Sequence, residues 1–163
     1  MNPVRDRLHY KTVWTIRKYA DDLAYAQGCL LEAPAIIEGN LMLNEGIGAH
    51  LLLLTGGSET AFNNANARLG VGDSTASEAA SQTDLQAASN KTYKAMAATY
   101  PLIAAQTVTF RAVFASADAN YAWQEFVVDN GSGAAKTLNR KVSSQGTKAS
   151  GQTWTLDLAI TFS

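Results

Sequence analysis

The sequence holds a single cysteine, Cys29, so an internal disulfide and a Cys-rich zinc site are both excluded. Its two histidines, His9 and His50, lie too far apart to form a short metal-binding or catalytic motif. Charge is sparse: 17% of residues are charged, against about 25% in an ordinary globular chain. The 13 basic and 14 acidic residues nearly cancel, leaving a net charge of −1. This argues against nucleic acid as a partner, which needs clustered Lys and Arg to displace counterions. It argues equally against a polybasic membrane surface. Long apolar runs are missing too, and the stretch around Leu51–Leu54 is far too short to cross a bilayer. The opening residues Met1–Arg7 lack the apolar core and cleavage signal of a secretory leader. The expectation is a soluble chain made in a cytoplasm and not exported by the general route.

What remains is 47% apolar in 163 residues, enough for one domain with a real core. Ala, Ser, Thr, Asn and Gln fill the places that charge leaves empty. Residues 1–40 read as an N-terminal arm and lead-in strand, with alternating charge over the first ten positions. Residues 41–163 read as a single domain. Thr12–Tyr19 is rich in β-branched and aromatic residues and predicts a strand; a continuation through Asp22 and Leu23 would instead be helical. Ala33–Glu38, with Pro34, suits an edge strand. Asn40–Leu54 is the main helix candidate, with Asn40 as its cap, Leu41, Asn44/Glu45, Ala49 and Leu52 at helical spacing, and Gly56-Gly57 as its stop.

Arg68–Val71 predicts a short strand running into a tight turn at Gly70–Thr75. Ala76–Thr99 reads as an exposed loop with a short helix over Ser81–Asn90. From Thr107 the hydrophobic period is two. Strands follow at Thr107–Phe114, Tyr121–Val128 and Leu138–Val142, with turns at Asp129–Gly133 and Gly146–Gly151. The clearest strand is the last: Trp154, Leu156, Leu158, Ile160 and Phe162 alternate without a break. The pattern predicts an α+β fold, mainly antiparallel β in a meander or sandwich, with one or two helices packed on it.

Motifs with chemistry are few. Gly131–Thr137 superficially suggests a phosphate loop, but Ala135 stands where glycine must precede the lysine, and a strand follows rather than a helix. Asp73 with Ser74 and Thr75 offers too few oxygens for a cation, and fits a turn in which Asp73 bonds its own backbone. Asp21 and Asp22 are neighbours that point apart, so they form no acid–base dyad. Glu125, among Trp123, Phe126 and Val127, calls for an ion-pair partner from Arg111, Arg140 or Lys141. Cys29, before Leu30-Leu31, reads as a small buried apolar residue. No serine sits in a nucleophile elbow. Trp14, Trp123 and Trp154 each fall on an expected strand and read as core. No enzyme, cofactor or metal site is expected.

Several segments occur in a recognisable order: Phe62–Thr75, Thr83-Asp84-Leu85, Tyr100-Pro101, Thr107–Phe114, Ala119–Phe126, Leu138–Val142 and Gly146–Lys148. Together they resemble small structural proteins of tailed bacteriophages, in particular a diverged phage tail-collar fibre domain. Val71-Gly72-Asp73 matches the family's strand-ending motif, with Ser74 in place of its usual glycine, and Glu125 matches its strand glutamate. The resemblance implies a non-enzymatic virion protein of tail, collar or baseplate that contacts other virion proteins and its own copies, with a trimer as the fibre-like case. Gly70, Gly72, Asp73, Trp123, Glu125, Asn139 and Arg140 are the implied structural or interface positions. Collar fibre proteins continue into a shaft, which this sequence lacks, so a capsid decoration protein is the nearest alternative. A glycan-binding module would need exposed Trp or Tyr. A cell-wall hydrolase would need two facing carboxylates, and the spacing of Asp118, Glu125 and Asp129 gives that little support.

Overall fold

The computed structural model describes residues 9–131 and 133–163. The charged arm over residues 1–8 lies outside them. Among the described residues the elements are β1 (Tyr10–Tyr19), α1 (Asp22–Ala26), β2 (Ala35–Glu38), β3 (Leu41–Met42), α2 (Asn44–Leu54) and β4 (Arg68–Gly72). They continue with β5 (Lys91–Ala95), β6 (Leu102–Ala104), β7 (Thr107–Phe114), β8 (Glu125–Asp129), β9 (Thr137–Val142) and β10 (Thr153–Phe162). The fold is mainly antiparallel β with two short helices, as the period-two patterning predicts.

Two five-stranded sheets form, ordered β2-β1-β10-β7-β6 and β3-β9-β8-β4-β5. Consecutive strands of the C-terminal half therefore do not form one meander, contrary to expectation. The hairpin β8–β9 belongs to one sheet, while β7 and β10 pair in the other. Each sheet turns one apolar face inward, and the two faces share a single core. Trp14, Ile16, Phe110, Phe114, Leu156 and Leu158 come from the first sheet, and Leu69, Val71, Phe126 and Val128 from the second. Trp123 sits between them, edge-on to Phe114 at 4.8 Å and to Trp154 at 4.9 Å. Such aromatic pairs add about 0.5–1.5 kcal/mol each beyond area burial. Trp123 itself lies outside a strand, because β8 begins only at Glu125.

Local propensity loses to tertiary pairing in several places. The main helix starts at Asn44, not Asn40, since Leu41–Met42 pair with β9 as β3 and the Leu43 N–H donates to Leu138 O at 3.0 Å. Asn40 caps nothing. Over Ser81–Asn90 no helix forms, because Glu125 accepts the Gln86 and Ala87 N–H groups that a helix would use. The expected exposed loop up to Thr99 contains β5, an edge of the second sheet. Residues 12–26 are both strand and helix: β1 ends at Tyr19 and α1 follows, capped by Asp21, which accepts the Ala24 N–H at 2.7 Å. Cys29 is exposed rather than buried.

Candidate functional site

Strand alternation places Gly70 and Gly72 of β4, Glu125 and Val127 of β8, and Arg140 of β9 on the outer face of the second sheet. An outer face is ordinarily wet. Here the segment from Asp73 to Asn90 lies across it, burying Leu85 and Ala87. Glu125 and Arg140 are fully buried beneath that segment and pair at 2.7 Å. The Glu125 carboxylate accepts the Arg140 Nε–H at 2.8 Å, the Gln86 N–H at 2.9 Å and the Ala87 N–H at 2.8 Å. Arg140 donates onward to Ala76 O at 2.9 Å and Gln82 Oε1 at 3.1 Å. Every hydrogen bond of this pair beyond its own reaches into the covering segment. A buried pair survives desolvation only when its remaining hydrogen-bonding capacity is met in this way.

The glycines make room for this clamp. A Cβ on Gly72 would stand 2.4 Å from Glu125 Oε1, and one on Gly70 would stand 2.5 Å from the Tyr93 ring. Asp73 accepts from Asn90 Nδ2 at 2.7 Å, closing the two ends of the segment on each other instead of bonding its own backbone. Thus Gly70, Gly72, Asp73, Glu125 and Arg140 come together as one structural lock. Trp123 and Asn139 do not join it. Trp123 is core, and Asn139 is fully buried with neither amide atom partnered. Six of the seven positions are inside the protomer and none offers an exposed contact surface.

Beside the lock lies a polar cleft of about 460 Å³ lined by Arg68, Asp84, Tyr93, Asp129, Glu45 and Lys136, among others. Its charges satisfy one another. Arg68 grips Asp129 through Nε at 3.0 Å and Nη2 at 2.5 Å, lies over the Tyr93 ring, and is held in its charged form by that carboxylate. The Tyr93 hydroxyl donates to Asp84, and burial with that neighbouring charge raises its pKa strongly. Burial opposes the Asp84 carboxylate, but the Tyr93 hydroxyl and Lys91 outweigh it and hold Asp84 below the usual range. The three acids available for hydrolysis are each held by a separate cation: Asp118 by Lys94, Glu125 by Arg140, Asp129 by Arg68. Trp14, Trp123 and Trp154 are all buried, so none forms a sugar platform. Among the described residues no group of three or more His, Cys, Asp or Glu is gathered as for a metal.

Several large apolar side chains lie on the open surface. Leu23, Tyr25, Leu30 and Leu31 are exposed around α1, Ile36 on edge strand β2, and Leu102 and Ile103 on edge strand β6, Ile103 at 76%. On α2, Ile47, Leu51, Leu52 and Leu54 face solvent. The helix touches the sheet through small residues instead: Gly46 and Ala49 are its buried positions, and a Cβ on Gly46 would collide with the β9 backbone at 2.4 Å. Ala49 and Leu52 both stand at the helical spacing read from the sequence, yet Ala49 is buried and Leu52 is exposed. The signal for this was the pair Gly46 and Ala49, small enough to let a helix lie flat on a strand.

No protein-family model, no curated protein and no solved structure was found to match the chain.

Proposed function

We propose that this chain is a non-enzymatic structural component of a tailed-phage virion, of tail, collar or baseplate, acting through protein–protein contact. The observation that carries the reading is the apolar surface left open on α2, around α1 and on the edge strands, over a body whose cleft charges are already paired. Exposed apolar surface gathered into patches marks sites of interaction with other molecules. Interface cores are also depleted in charge, which suits a chain with 17% charged residues. The sequence resemblance supplies the virion context, and the locked 73–90 segment accounts for why those residues occur together.

Immunogold labelling of intact particles with an antibody against this chain tests the reading. Label at the tail or neck is the expected result. Label spread over the head would assign the chain to capsid decoration. Particles without label, in cells that express the chain, would overturn the virion reading.

A further inference from the structure

Helix α2 is inverted relative to an ordinary surface helix, since its buried positions are the small residues Gly46 and Ala49 while Ile47, Leu51, Leu52 and Leu54 face water. Ile47, His50, Leu51 and Leu54 stand at i, i+3, i+4 and i+7, the spacing by which a helix meets a packing partner. All four are exposed: Ile47 is 44% accessible, Leu51 53% and Leu54 74%. An eleven-residue helix has little stability of its own, so such a stripe is not retained by helix propensity. The stripe forms one wall of an apolar groove of about 440 Å³ through Ile47, His50 and Leu51, and Tyr10 of β1, Leu41 and Met42 of β3, and Phe162 of β10 form the rest. His50 stacks on Phe162 with ring centroids 6.3 Å apart.

We propose that this ridge and groove bind a second copy of the same chain, α2 packing on α2 about a two-fold axis. The proposal rests on the protein–protein reading above and names its partner. Charge supports self-association over a charged partner. A two-fold contact sets each patch against its own duplicate, so any net charge would repel itself. Among the described residues, neither ridge nor groove carries a formally charged side chain. The one acid on α2, Glu45, is turned inward, accepting the Thr137 N–H at 2.7 Å. Stripe and groove form one continuous apolar face, since Ile47, His50 and Leu51 also line the groove, and a two-fold contact would set that face against its own copy. The exposed parts of Tyr10, Ile47, Leu51 and Leu54 amount to about 400 Å² of largely apolar surface, about half of the roughly 800 Å² per partner of a stable interface. The flanking polar surface completes it as a rim.

The test is sedimentation velocity on the full chain across a concentration series, for the wild type and for Leu51→Glu/Leu54→Glu. The wild type is expected to associate. The double variant is expected to sediment as a monomer with unchanged circular dichroism, its dissociation constant raised at least about 100-fold by acids set into an apolar contact. Leu102→Glu/Ile103→Glu on β6 is expected to associate like the wild type. Should the α2 double variant misfold, Leu54→Cys in a Cys29→Ser background replaces it: oxidation is expected to give a covalent dimer at concentrations where Ile103→Cys in that background gives none. A wild type that stays monomeric at 100-micromolar order, or a folded double variant that still associates, overturns the proposal. Association through α2 in a chain absent from particles would sink only the virion reading. A particle-bound chain with a monomeric α2 face would sink only this one.

Discussion

At the scale of single residues, Glu125 and Arg140 carry the largest consequence. Replacing Arg140 with Leu leaves a buried carboxylate with only two backbone donors, and breaking such a pair from one side costs about 3–5 kcal/mol. Urea unfolding of Arg140→Leu should show that loss, and hydrogen exchange at Gln86 and Ala87 should accelerate beyond the rest of the chain. Asn139 behaves oppositely. Its amide is buried without partners, so Asn139→Leu removes a desolvation cost and should raise stability by about 1–2 kcal/mol in the same assay. The sequence allowed Glu125 an ion pair and named Arg140 among three candidates; Arg111 instead grips Asp157. It could not show that the pair anchors a remote loop, because Ala76, Gln82 and Gln86 contribute mostly backbone groups, which leave no trace in composition.

At the scale of elements, legibility follows periodicity. β10 and β7 were readable because one face is apolar throughout, and the β8–β9 turn because Asn130-Gly131 sits in it. β5 and β6 were not, since Lys91–Ala95 and Leu102–Ala104 lack alternation and become strands only by pairing at an edge. The short helix α1 depends on Asp22, whose carboxylate accepts from the Thr153 hydroxyl and from the Ser116 hydroxyl and N–H. The Thr153 bond first, then that of Ser116, holds the Asp22 pKa below the ordinary value. A carboxyl whose folded pKa is depressed stabilises above its unfolded value, about pH 4, and that contribution fades as pH falls through the folded value. The Ser116 amide resonance should therefore titrate with a midpoint below that of free aspartate, with the docking of α1 loosening over the same range. A midpoint at or above the free value would contradict the assignment.

At the scale of the molecule, the mainly β class with few helices was legible, but which strands join which of the two sheets was not. Strand partners such as β1 and β10, at opposite ends of the sequence, leave no local mark of their pairing. One core cluster draws from both sheets, so neither sheet should unfold alone. Near-ultraviolet dichroism, which reports the buried tryptophans, and far-ultraviolet dichroism, which reports the strands, should lose signal in one coincident transition. Two separated transitions would mean that the sheets are independent.

The pairing of β1 with β10 also sets an order of events during synthesis. β1 leaves the ribosome first but waits for nearly the whole chain before its neighbour exists, about 8–30 s at ordinary elongation rates. Sheet assembly through such distant partners is slow even then. Phe162, on that late strand, walls the groove beside α2. A chain not yet extended through β10 thus carries the α2 stripe without one wall of the groove beside it.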